Sequence, residues 1–418
     1  MKILKTIGKH PLIYLLVTAK GNPKALLLAE PLWGIPFHLI APFVSLYMFQ
    51  QGIVDVQIGL LITITMIGQV FFAIFGGIIT DKLGRLKATL IGDTVGWGIA
   101  CFVWAISHNF WLFAIAALLN SFDRIANTSW QCLLVEDADP NDMLGMYSWV
   151  HIGGLVAVFF APISGLLIQR FTLIPVVRSL YVFFGINMLI KLFLTIKFCT
   201  ETKQGKIRKA ETKSLSVGTM LREYGSVIPK MFRSSATMKM VAISSLLHVT
   251  MTVNGSFFGL YVTTKLGVEE RFLSVFPILN AVVMLLFLFI IQHRMAYIKD
   301  KLPLWAGLVI FAICHFSLVL FPANRMFLII IYLLFIAVAN ALVGPRLGAM
   351  LQLAIDAQER ARIMGVVQCV TIAFAAPFGF LAGFLSGVDR RLPFVLTTLL
   401  FVTALIIVSQ IKDGEFGR

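Results

Sequence analysis

Ionisable side chains occur inside long apolar runs of this chain: Glu30, Asp93, Asp123, Arg124, Arg178, Lys191 and Arg346. Inside a membrane each such group is costly unless paired or hydrated, so each marks a functional site by default. A buried carboxylate can carry a proton, and a guanidinium can hold an anionic group through two parallel hydrogen bonds. The stretch "NSFDRIANTSWQ" places Asn120, Arg124, Asn127 and Gln131 at the spacing of one helix face. That stripe needs water, a ligand or a partner, and Arg124 is expected to line a cavity together with Asn120 and Asn127. Asp123 is a further candidate, with a structural pair to Arg124 as the alternative, although its adjacency turns it to another side of the helix.

In "AEPLWGIPFHLIAPF", Glu30, Gly34 and His38 share a face, and Pro31, Pro36 and Pro42 free backbone carbonyls that only protein or water can satisfy. Glu30 is read as a proton carrier, with an entrance charge as the alternative. His38 is either a titrating group or a packing residue. His248 and Asn254, on a later run, join the substrate and proton candidates. Asp93 is expected to pair with the bases shortly before it. Arg178 and Lys191 are expected to reach toward opposite membrane surfaces, and Arg346 to act in gating. His151 and His315 read as packing residues. The scattered Cys101, Cys132, Cys199, Cys314 and Cys369 read as small core residues without metal or redox spacing.

The elements that hold these groups follow from composition. Of 418 residues, 59% are hydrophobic and 13% charged, with mean hydropathy +0.90. A soluble chain carries about twice that charged fraction. The chain is therefore expected to lie in a bilayer as an all-α polytopic protein. Apolar runs at 25–50, 57–80, 88–107, 110–134, 143–168, 172–197, 240–264, 270–293, 302–321, 326–350, 362–386 and 392–411 each suit one crossing and are numbered here as spans one to twelve.

Most of the 35 Lys and Arg fall in the N-terminus, the loops 81–87, 197–239, 292–301 and 351–362, and the C-terminus. The opposite loops hold only Arg170, Lys265, Arg271, Arg325, Arg390 and Arg391. The basic side, with both termini, is expected to be cytoplasmic at a plasma or inner membrane. A basic inner face suits anionic lipid, at about 1 kcal/mol per near-surface base. It calls for no nucleic-acid partner.

The expected organisation is an interfacial segment at 1–24, read in preference to a cleaved leader, followed by a six-helix bundle at 25–198. A linker at 199–239, polar and then amphipathic, leads to a second six-helix bundle at 240–411 and a tail at 412–418. The halves read as copies. Asp81-Lys82-Leu83, Arg124 and the segment ending at Gly145 recur about 220 residues later as Asp300-Lys301-Leu302, Arg346 and the segment ending at Gly365.

Between spans two and three stands "GGIITDKLGRLK", with Gly77, Asp81, Lys82, Gly84, Arg85 and Lys87 at fixed spacing. In a basic-inside protein of two six-span halves, this loop resembles the signature of the major facilitator superfamily. The resemblance implies two bundles related by a pseudo-two-fold axis and rocking about a central site to give alternating access. It also implies that spans one, four, seven and ten line that site. Asp81 and Arg85 would then form a latch, Asp81 pairing across the halves when the transporter is open outward and Arg85 meeting Glu136 or Asp137. The second-half counterpart departs from the pattern, with Pro303 where glycine would stand. In span five, Pro162 and Gly165 keep part of an antiporter motif and are expected to bend the helix or allow close packing.

No metalloprotease motif, paired intramembrane aspartates or phosphate-binding loop is present, so an enzyme is not expected. The favoured function is a secondary active transporter that exports amphipathic compounds in exchange for protons. Uptake of an organic anion or sugar, or lipid translocation, is the alternative. A monomer working on a small-molecule substrate, without cofactor or metal, is expected.

Overall fold

The computed structural model describes residues 19–139, 142–225, 229, 231, 234–287, 301–355 and 360–411. Most of the 1–24 segment, Asp300 of the repeated triplet and the tail 412–418 lie outside the described residues. Among those described, every regular element is helical.

Ten helices are long and apolar enough to cross a membrane: Gly21–Gln50, Asp55–Leu83, Arg85–Ile106, Gly145–Phe171, Leu173–Phe198, Ser235–Thr264, Lys301–Leu320, Met326–Leu351, Ile363–Val388 and Leu392–Ser409. They correspond to spans one, two, three, five, six, seven, nine, ten, eleven and twelve. Span four is instead two helices, Phe110–Asn120 and Asp123–Val135. The backbone between them tightens into i to i+3 bonds, Arg124 to Ser121 and Ile125 to Phe122. Span eight is described as a short helical turn, Glu270–Ser274, followed by Phe276–Leu286.

Local irregularities fall where the sequence forces them and position the charged groups. Span one is segmented at its prolines, with Pro31 opening the helix Pro31–Ile40 and Pro42 inside the turn Ala41–Phe43. Span five breaks after Val158, and Pro162 then starts a fresh helix, Pro162–Phe171, where its missing N–H costs nothing. Span three contains a wide π turn, Thr94–Ile99, next to Asp93. The Asn120 amide donates to the Gly96 carbonyl in that turn at 2.9 Å, satisfying a backbone group that the irregular helix would leave short of a partner.

The signature loop lies at one end of the bundle, here called the loop end. At the opposite, far end the two halves pack directly. A Cβ at Gly59 of span two would strike the backbone of Gly379 and Gly383 in span eleven, so glycine lets these helices touch. Thr63 donates to the Ala376 carbonyl at 2.7 Å and accepts from the Phe380 amide at 2.9 Å. Gly165 of span five likewise meets Ser274 and the Arg271 carbonyl beneath span eight. Lipid offers no hydrophobic drive between helices, so this close van der Waals fit is what holds the seam.

Candidate functional site

At the loop end, Gly84 takes φ 93°, a conformation that favours glycine, and turns the chain sharply from span two into span three. The Glu201 carboxylate caps the new helix, accepting from the amides of Arg85 at 3.0 Å and Leu86 at 3.2 Å. Arg85 is buried between two acids, with Nη1 2.9 Å from Asp81 and Nη2 2.9 Å from Glu136. Glu136 is thus the acid that meets Arg85, whereas Asp137 accepts from the Lys203 amide at 3.1 Å.

With the cavity between the halves open at the loop end, Asp81 is held within the first half and the linker. Its other oxygen accepts from Arg208 at 3.0 Å, and Arg208 belongs to a linker helix, Lys203–Glu211. Thr202 donates to Glu136 at 2.5 Å, and Lys82 donates to the Leu215 carbonyl at 2.7 Å. The linker therefore occupies the latch, a role nothing in its polar composition announced. Lys87 is exposed and Gly77 faces the cavity described next.

Between the halves lies a cavity of about 780 Å³. Spans two and eleven touch at Gly59 and Gly379 but have separated by Ala73 and Gln368, which line its walls. It reaches the loop end at Gly77 and Glu136 on one side and Met364 and Gly365 on the other. Arg124, Asn127 and Gln131 line it from span four and Ser244 and His248 from span seven. Arg124 is steadied by a bond to Gln69 at 3.1 Å.

A second cavity of about 360 Å³ is built wholly within the first half and shares Asn127, Gln131 and Tyr147 with the central one. Into it converge Glu30, Asp93, Asp123 and Lys191. Lys191 lies 3.5 Å from Asp93 and 3.8 Å from Glu30, with only 5% of its surface exposed. Asp123 accepts from the Trp97 indole at 2.6 Å. Three carboxylates thus face one ammonium in this cavity. Among the described residues no group of His, Cys, Asp and Glu is arranged to hold a metal ion.

Several expectations are corrected by these contacts. Lys191 does not reach a membrane surface, because two acids hold it inside. Asp93 pairs with Lys191 rather than with the signature-loop bases. Arg178 turns inward to the Tyr47 hydroxyl and the Ser107 carbonyl, each at 3.4 Å. Asn120 braces spans three and four instead of lining either cavity. Asp123 lines the acidic side cavity and leaves Arg124 to the central one. His38 packs edge-on to Phe37. Asn254 sits in a pocket of the second half and accepts from Tyr332 at 3.3 Å. Arg346 is half-buried late in span ten.

The far-end seal escaped sequence reasoning. Asp55, 5% exposed, accepts from Ser386 at 2.6 Å and from Arg390 at 3.2 Å across the halves. The Arg390 guanidinium also lies 4.4 Å from the centre of the Phe49 ring, and Gln50 hydrogen-bonds Glu270. The available signal was Asp55, an acid at the start of a span facing the basic loop at Arg390–Arg391.

A family profile described as Major Facilitator Superfamily matches residues 32–375. The multidrug resistance protein MdtG of Escherichia coli is 27% identical over 190 residues, 43% of this chain and 44% of that protein, so the match spans under half the length of that relative. Among solved structures, the nucleoside transporter NupG, as a D323A mutant, superposes with TM-score 0.73 at 16% identity, covering 93% of this chain and 99% of that one. A D-xylose–proton symporter gives 0.72 at 14% identity, covering 94% and 99%.

Proposed function

This chain belongs to the major facilitator superfamily and is an integral membrane transporter of a small solute, and we propose that it exports amphipathic compounds in exchange for protons. The observation that carries the proposal is the central cavity, lined by both halves, sealed at the far end and reaching the loop end. With the basic loop end cytoplasmic, this is the form that loads from the cytoplasm. Rocking the halves would part Gly59 from Gly379 and Gly383 and bring the latch onto the second half.

The acidic side cavity supplies the proton step. Glu30, Asp93 and Asp123 compete for Lys191, and a proton taken up by one carboxylate releases Lys191 toward another. Asn127 and Gln131, shared by both cavities, would pass that change to the solute. The direction of transport rests on the MdtG likeness, and the mixed apolar and polar walls suit amphipathic cargo. Uptake of an organic anion is the second reading, favoured by Arg124 in the central cavity. The cavity is complete within one chain, which supports a working monomer, and the basic linker face suits anionic inner-leaflet lipid.

The test is flux in proteoliposomes with an imposed pH gradient. Glu30→Gln is expected to leave downhill solute movement measurable while abolishing its acceleration by the gradient. Coupling equal to that of the wild type would remove the side cavity from the mechanism.

A further inference from the structure

Of ten buried side-chain polar atoms that lack a hydrogen-bond partner among the described residues, four belong to residues lining the central cavity. These are Arg124 Nε, Ser244 Oγ, His248 Nε2 and Thr371 Oγ1. Arg124 comes from the first half and the others from spans seven and eleven.

The two hydroxyls are the informative members. Serine and threonine inside a helix normally bond back to a carbonyl one turn earlier. Thr128, Thr195 and Thr250 of this chain do so, to Arg124, Lys191 and Leu247. Ser244 and Thr371 do not, nor does Thr80 near the loop end, and a buried hydroxyl left unpaired is unfavourable. Ser244 and His248 stand one turn apart on the same helix face, and Thr371 approaches from span eleven.

Ser244, His248 and Thr371 also form the mouth of another pocket, of about 360 Å³, inside the second half. Behind that mouth the walls are mainly apolar, at Leu247, Met251, Phe311, Ile336 and Phe401, with Asn254, His315 and Asn340 as polar groups among them. A cationic fork, two hydroxyls and an imidazole thus stand at the entrance of a mainly apolar pocket.

We propose that the central cavity binds amphipathic oxyanions, with a carboxylate or phosphonate head held by Arg124, Ser244, His248 and Thr371 and an apolar body in the second-half pocket. This names the cargo of the transport cavity and rests on that reading. The guanidinium supplies charge-assisted donors and the hydroxyls and imidazole supply neutral ones; Glu30, Asp93 and Asp123 lie in the side cavity, and Glu136, which lines the central cavity at its loop end, is paired with Arg85. An organic ammonium would instead face Arg124 with no acid beside it among these four.

The full-length protein in lipid nanodiscs is titrated calorimetrically with 4-phenylbutyrate, 4-phenylbutylamine and acetate. The carboxylate is expected to bind at least about tenfold more tightly than the amine, which carries the opposite charge, and than acetate, which lacks the body. Arg124→Gln is expected to weaken 4-phenylbutyrate at least about tenfold, and the double variant Ser244→Ala, Thr371→Val by several-fold with its ligand-free melting temperature held. Absence of wild-type binding, equal binding of the amine, or unchanged affinity in both variants would overturn the proposal. Flux of the same probe is measured separately in proteoliposomes. Binding without flux would keep the oxyanion site and count against the transport reading, whereas flux without binding to these residues would do the reverse.

Discussion

The two ends of the bundle are held by different physics. At the far end the halves meet each other: three glycines, Gly59, Gly379 and Gly383, bring two helices into backbone contact, and one buried ion pair, Asp55 with Arg390, closes over them. At the loop end a denser set of charges, Asp81, Arg85, Glu136, Glu201 and Arg208, is satisfied within the first half and the linker. A seal of small residues demands exact fit and is either made or lost. A charge cluster in which several acids and bases lie within reach of one another can exchange one partner for another without leaving a buried charge unpaired. The contrast suggests a division of labour, with the far end setting which state is populated and the loop end setting how readily it changes.

The largest effect is expected from breaking the small-residue seal. Gly383→Leu would drive a side chain into Gly59 and the Asp55 carbonyl, and overpacking of this kind costs about 1–3 kcal/mol or more. Spin labels at Val54 and Val388, exposed far-end positions at 54% and 68%, should report a longer distance and a shift of most molecules from the sealed form. An unchanged distance distribution would show that the glycine crossing is not the seal.

A smaller structural effect but a clear functional one is expected from Asp81→Asn. The variant should insert and fold as the wild type does, yet solute flux should fall at least about tenfold, since Arg85 and Arg208 each lose one of two charged partners. Wild-type flux would remove Asp81 from the latch. The smallest effect belongs to Arg208→Ala. Its side chain is 37% exposed, so screening limits the pair to about 1 kcal/mol or less. Amide exchange in Lys203–Glu211 should quicken by at most a few-fold while the Asp55–Gly59 turn stays protected. Equal exchange in mutant and wild type would mean that the linker is held without Arg208.

Much of this could be read from composition and spacing. Apolar length marked the membrane helices because a bilayer core has one thickness. The glycine of "GGIITDKLGRLK" marked the turn because a reverse turn is local, and prolines marked the breaks in spans one and five for the same reason. The pair of Asp81 with Arg85, by contrast, was not among the expectations. Helix periodicity placed Arg124, Asn127 and Gln131 on one polar stripe, and the family resemblance pointed that stripe to the central cavity. What stayed hidden depended on partners far apart in the chain. Lys191 reads as a surface-seeking base until spans one and three bring Glu30 and Asp93 to it. Asn120 reads as part of a polar stripe until a π turn in span three offers it a carbonyl. Ser244 and Thr371 read as ordinary helix hydroxyls until their back-bonds are found missing.

The sequence by itself determined that this is a helical membrane protein, where its chain turns, and which charges had to find partners, since hydropathy, periodicity and turn chemistry act over a few residues. Only the tertiary structure decided which partners they found: Arg208 for Asp81, Lys191 for Glu30 and Asp93, and Arg390 for Asp55. Such pairs join residues up to 335 apart. Their energies depend on the distance and burial that helix packing alone creates.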